Sequence, residues 1–127
     1  MSAALKLSFE NVTDWVFDLD NTLYPAGCNL FAEIDTRMTE FVCEILSCNW
    51  DEGRRQQKAL YVSHGTTLAG LMAMHDVDPR AFMDYVHAID LQVLRPDPQL
   101  REALTDLPGR KFVHTNGSVR HAENVLA

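Results

Sequence analysis

Apolar positions fall into short runs near the two ends of the chain and into spacings of three and four between them. Leu5, Leu7, Phe9 and Val12 lead into Trp15-Val16-Phe17, which predicts a first strand over about residues 12–18, extended leftward. From Asn29 the period changes. Leu30, Phe31, Ile34, Met38, Phe41, Val42, Ile45 and Leu46 mark one face of a long amphipathic helix, with Asn29 as its N-cap. A polar-faced helix follows over Trp50–Ser63, its Arg54, Arg55 and Lys58 read as a solvated face. His64-Gly65 breaks it, and Thr66 or Thr67 caps the next helix, Leu68–Met74. Two Asp-Pro pairs, Asp78-Pro79 and Asp97-Pro98, each place an N-cap before a proline at the first helical position. The helix after the first pair carries Phe82, Tyr85, Val86 and Ile89 on one side; the helix after the second runs to about Asp106. Leu107-Pro108-Gly109 stops it, Lys111–His114 reads as a second short strand, and Ser118 opens a last helix.

Two strand-to-turn junctions, at Asp18 and Thr115, thus flank a nearly all-helical stretch. The pattern predicts an α/β fold: a parallel-sheet core with helices inserted after the first strand. Ligands of such sheets gather at the carboxyl ends of the strands, where both junctions lie. Arg95 and Asp97, where the helical stretch returns toward the second strand, read as hinge rather than catalytic positions. Phe31, Met38 and Phe41 read as packing.

Composition narrows the function classes. With 127 residues the chain is one domain or part of one, and 46% hydrophobic with 23% charged residues is ordinary for a globular protein. A formal charge of −7 without a basic run argues against nucleic acid as a partner. No run of apolar residues is long enough for a membrane span. The N-terminal MSAALKLSFENVTDW reaches Glu10 too early for a secretory leader. Cys28, Cys43 and Cys48, without a C-x-x-C, read as reduced thiols of a cytoplasmic protein.

The chemistry concentrates in VFDLDNTLYP, residues 16–25. Two aspartates one residue apart past a strand end repel each other unless a cation sits beside them. They can point the same way if Leu19 between them turns inward. Mg²⁺ suits the pair, being a hard ion that takes a few oxygen ligands, keeps waters and shares substrate phosphate. One carboxylate can then attack phosphorus while the other moves a proton. His75, His87, His114 and His121 show no metal-ligand spacing and read as surface or packing residues. His64, Thr66 and Thr67 read either as a substrate-pocket wall or as a helix break with its capping threonine.

VFDLDNTLYP resembles motif I of the haloacid-dehalogenase-like (HAD) phosphohydrolase superfamily, apolar residues followed by D-x-D-x-T, and HTNGS at His114–Ser118 resembles its motif II. Four stretches look like the pyrimidine 5′-nucleotidase-like subgroup. They are DNTLYP, HGTTLAGL (His64–Leu71), VHAIDLQVLRPDPQL (Val86–Leu100) and KFVHTNGSVRHA (Lys111–Ala122). The resemblance implies a Rossmannoid core with a helical cap. Residues 1–26 would hold the first core strand and motif I, 27–95 the cap, and 96–127 the second core strand and motif II. It implies Asp18 as nucleophile and Mg²⁺ ligand. Asp20 would be the general acid/base and a Mg²⁺ ligand through its backbone carbonyl. Thr115, with backbone near Asn116 and Gly117, would bind phosphate. The implied substrate is a small phosphorylated metabolite, foremost a pyrimidine nucleoside monophosphate; a sugar phosphate or phosphoglycolate is the alternative within the fold, and a non-catalytic binding or assembly module the alternative outside it. The family also uses a motif III lysine and motif IV acids beyond motif II, and no lysine follows Lys111 here. The expectation is therefore an N-terminal portion of such an enzyme, with little or no phosphatase activity as an isolated 127-residue chain.

Overall fold

The computed structural model describes residues 3–127, the side chains of residues 5–7 excepted. The elements are α1 (Ala3–Ser8), β1 (Asp14–Phe17), α2 (Leu30–Leu46), α3 (Trp50–His64), α4 (Thr67–His75), α5 (Pro79–Val86), α6 (Pro98–Asp106), β2 (Arg110–Val113) and α7 (Val119–Leu126). Single 3-10 turns occupy Ala26–Cys28 and Leu91–Val93. β1 and β2 pair in parallel, from Asp14 opposite Arg110 to Phe17 opposite Val113. The architecture is α/β, mostly helical, with a small two-stranded parallel sheet.

The strand expected to extend leftward from residue 12 does not. Residues 3–8 are helical, in keeping with the helix-favouring composition of AALKLS; the side chains of Leu5 and Leu7 lie outside those described, as do residues 1–2 of the expected 1–26 segment. Phe9 instead packs on Trp15, ring centroids 5.6 Å apart. Trp15 Nε1 donates to the Pro108 carbonyl at 2.7 Å and so ties β1 to the turn before β2. That turn closes through Gly109, at φ +95°, where a Cβ would lie 2.4 Å from the Thr13 carbonyl oxygen. Only glycine allows both the left-handed conformation and this approach. The Arg110 N–H then bonds Thr13 O at 2.8 Å and starts the ladder.

The helix starts follow their capping residues. Asn49, Thr66, Asp78, Asp97 and Ser118 each accept a backbone N–H from the first turn of the helix they precede. Asn29 stands before α2 as expected but does not cap it with its side chain. It adopts a left-handed φ of 62° because it also ends the preceding 3-10 turn.

Helices α2 to α5 pack on one another around Ile34, Phe41, Val42, Leu60, Leu71, Val77, Phe82 and Val86, all nearly inaccessible. Between α2 and α3, Asp35 accepts from Arg54 at 2.5 Å and from Gln57 Nε2 at 2.8 Å, and Thr39 donates to Gln57 Oε1. The expected solvated face is therefore split. Arg54 turns into this network, while Arg55 pairs with Glu52 outside it. The sheet is the contrast. Every residue of β2 is exposed and Val16 of β1 is 67% exposed, although parallel strands usually lie covered on both faces. An open, largely apolar groove of about 1000 Å³ runs past α6 and α7, lined by Leu91, Leu94, Leu104 and Val125 among others. Among the described residues no helix is long and apolar enough to cross a membrane.

Candidate functional site

The last rung of the ladder, Phe17 opposite Val113, puts Asp18 one residue and Thr115 two residues beyond the carboxyl ends of adjacent strands. His114, between Val113 and Thr115, extends the ladder by donating its N–H to Phe17 O at 2.8 Å. Leu19 is fully buried, so the two aspartates are split by an inward side chain as the alternation requires. Its N–H donates to Asp18 Oδ1 at 2.9 Å. Its carbonyl takes the N–H groups of Thr22 and Leu23 at 3.1 and 2.9 Å, folding the chain back into a tight turn through Asn21 at φ 57°.

The two carboxylates have different surroundings. Asp18 is exposed. Asp20 is partly buried, and its Oδ1 accepts from the Tyr24 hydroxyl at 2.6 Å and lies 2.9 Å from His121 Nε2. Burial alone would raise the pKa of Asp20, but the hydrogen bonds from His121 and Tyr24 outweigh it and hold the carboxyl below its usual range. Burial, and then the Asp20 carboxylate, push the Tyr24 phenol well above its ordinary value, so it stays a donor.

Across the turn after β2, Thr115 Oγ1 accepts the Gly117 N–H at 3.1 Å, which leaves the hydroxyl proton available to an incoming anion. The same bond occupies the Gly117 N–H, so of the backbone donors expected there only that of Asn116 is uncommitted to this turn. Gly117 is hemmed in: a Cβ would lie 3.2 Å from His121 Cδ2 and 3.4 Å from Thr115 Oγ1. Ser118 caps α7 by accepting the His121 N–H at 3.1 Å.

These residues share one cleft of about 530 Å³ between the sheet end and the helical bundle. Asp18, Asp20, Asn21, Thr115, Asn116 and Gly117 form the sheet side; Phe31, Asp35, Lys58, Tyr61, Thr66 and Thr67 are among those facing it. Thr66 and Thr67 thus reach the cleft, while Thr66 also caps α4. His64 does not line it; it is exposed at the end of α3, with Nδ1 2.6 Å from Ser63 Oγ. Lys58 of the expected solvated face does line it, on the wall that faces Asp18 and Asp20.

His87 and His121 pack, as one of the roles expected of them, and they do so at the site. Their rings stack at 4.0 Å with 7° between planes, joining the end of α5 to the first turn of α7 beside Asp20. Sequence spacing could not pair His121 with an aspartate 101 positions away. The available signal was its place three residues after a capping serine, which turns a side chain in the first turn toward the preceding loop. Burial, then the neighbouring His121, push the His87 pKa down to about 4. The folded state thus declines a proton that the unfolded chain takes up near 6.5. The stability that neutral His87 contributes is full above about pH 6.5 and falls as pH drops toward 4. Melting temperatures taken across that window are expected to fall less steeply in His87→Phe than in the wild type; equal slopes would assign the acid sensitivity elsewhere.

As a metal site the donor set is hard and all oxygen: the exposed Asp18 carboxylate and the backbone around Asp20. That fits Mg²⁺, which binds through one or two carboxylates plus substrate phosphate and retained waters. Among the described residues no group of three or more His, Cys, Asp or Glu side chains could hold a metal.

No family model matches the chain. The chain is 29% identical over 118 residues to phosphate metabolism protein 8 of Saccharomyces cerevisiae, across 84% of this chain and 36% of that protein. It spans little more than a third of that relative's length.

Proposed function

We propose that the cleft is the phosphoryl-transfer site of a Mg²⁺-dependent phosphomonoesterase of the HAD type, acting on pyrimidine nucleoside 5′-monophosphates. The observation that carries the reading is the placement of Asp18 and Thr115 beyond the ends of two hydrogen-bonded parallel strands, in one cleft with a carboxylate held ionised. The similarity to a yeast protein named for phosphate metabolism supports it. In this reading residues 1–26 and 96–127 belong to the core and 27–95 form the cap. The exposed rings of Phe31 and Tyr61 in the cleft wall offer faces for a base and favour a nucleotide over a sugar phosphate.

Asp18 attacks phosphorus through a carboxylate oxygen, and the ester oxygen leaves with a proton from Asp20. Asp20 rests ionised in the free protein; the negative charge of a bound phosphate raises its proton affinity, so that it takes up a proton from solvent as substrate binds and enters the reaction as the acid. Water then attacks the aspartyl-phosphate, Asp20 takes the water proton, and inorganic phosphate leaves with Asp18 restored. Thr115 and the Asn116 N–H hold phosphate oxygens, aided by the positive end of α7. Mg²⁺, held by Asp18 and the Asp20 backbone carbonyl, would supply charge neutralisation at the phosphate.

Turnover of the full-length protein across nucleotides, sugar phosphates and phosphoglycolate tests the reading. The highest kcat/KM is expected for pyrimidine nucleoside monophosphates, with activity lost on chelation. Preference for a sugar phosphate would overturn the nucleotide assignment; hydrolysis of none of them would overturn the whole.

A further inference from the structure

We infer that His121 and Tyr24 form a two-donor anchor that positions the Asp20 carboxylate for proton transfer. The inference rests on Asp20 being the acid/base of the proposed reaction. Both donors converge on the same oxygen, Oδ1, at 2.9 and 2.6 Å. Among the described residues Oδ2 accepts no hydrogen bond, so Oδ1 is the anchored atom and Oδ2 the one left to exchange a proton. A carboxylate only accepts, so the His121 tautomer that fits carries its proton on Nε2.

The anchor is itself held rigidly. The His121 side chain is 1% exposed. Its ring lies against His87, which closes α5, and its backbone N–H is spent on Ser118 Oγ. Ser118 Oγ also lies 3.3 Å from His87 Nδ1. Tyr24 is 7% exposed and comes from the turn four residues after Asp20. The segment that carries Thr115 therefore also carries the group that fixes Asp20. Phosphate grip and proton donor are set at one offset by a single short stretch, Thr115 to His121. A partly buried carboxylate with buried imidazole and phenol partners costs more desolvation than an apolar trio of the same volume, which makes a purely structural purpose a poor account of it. Holding a reacting group in place through locked supporting side chains is what proton transfer in a defined direction needs.

The test compares His121→Phe, Tyr24→Phe, their double variant and His121→Gln with Asp20→Asn, all in the full-length protein. Phenylalanine keeps an aromatic ring and removes the donor, nearly isosterically at Tyr24 and with a somewhat larger ring at His121; glutamine at His121 restores an N–H in a smaller side chain. One readout is kcat/KM for p-nitrophenyl phosphate, whose leaving group needs no proton, against a nucleoside monophosphate, whose alkoxide does. Asp20→Asn is expected to lose about 10²–10⁴-fold on the nucleotide and far less on the aryl ester. His121→Phe and the double variant are expected to shift the ratio in the same direction, by about tenfold or more, and His121→Gln to recover most of it. Equal losses on both esters in His121→Phe would mark a merely structural role and overturn the anchor. Equal losses in Asp20→Asn would overturn the acid/base reading beneath it, and the inference with it. The second readout does not depend on turnover. Crystal structures should show the Asp20 carboxylate displaced in the double variant and in place in His121→Gln; a carboxylate that keeps its position with both donors gone overturns the inference.

Discussion

Asp18→Asn in the full-length protein is expected to abolish phosphomonoester hydrolysis, by a factor on the order of 10⁴ or more, and to leave the fold intact. The side chain stands one residue past β1, exposed at the mouth of the cleft, with one oxygen already taken by the Leu19 N–H. An amide can keep that bond through its own oxygen, so the turn survives. What it cannot do is offer a nucleophilic carboxylate oxygen to phosphorus. Because the residue is exposed, the stability change should stay within about 0.5 kcal/mol. A steady-state assay with a matched melting curve checks both halves. Full activity in a well-folded Asp18→Asn variant would remove the nucleophile from the proposed mechanism.

Phe82→Ala carries the largest expected stability effect. Phe82 is 2% exposed on α5, and its ring meets Phe41 of α2 edge-on at 5.2 Å and 84°. It sits in the apolar cluster that joins α2 to α5, the best-buried part of the molecule. Truncation removes that contact and leaves a cavity that packed neighbours fill only partly, at about 3–5 kcal/mol. Against a typical domain stability of about 5–15 kcal/mol this takes a large share of the total. Denaturant unfolding should show a lower midpoint at unchanged slope. The damage extends to the site, because Phe82 also lines the cleft wall opposite Asp18. A loss below about 1 kcal/mol would show that the bundle is not the stabilising centre of the fold.

Much of the helical order was legible because it is local. Asp78-Pro79 and Asp97-Pro98 set their helices within a residue, since a capping carboxylate and a proline act on the adjacent turn alone. The N-terminal segment misled because Leu5, Leu7 and Phe9 alternate as a strand would, while the residues among them favour a helix. Asp18, Asp20 and Thr115 could be picked out for a similar reason to the caps: strand end, inward Leu19 and turn are all encoded within a few residues. The partners of Asp20 were not legible. His121 and His87 arrive from α7 and from the end of α5, and only the packing of bundle against sheet end brings them together. Helix periodicity likewise placed Arg54 and Lys58 on one face but could not say that one closes a network with Asp35 while the other looks into the cleft.

In the proposed mechanism Asp18 itself becomes phosphorylated during turnover. Full-length protein would be mixed with a pyrimidine nucleoside monophosphate and Mg²⁺, quenched in acid within the turnover time, and its peptides analysed by mass spectrometry. One hydroxylamine-labile phosphoryl group is expected on Asp18 and none in Asp18→Asn. Steady hydrolysis with Asp18 unmodified, or with the phosphoryl group on another residue, would contradict it.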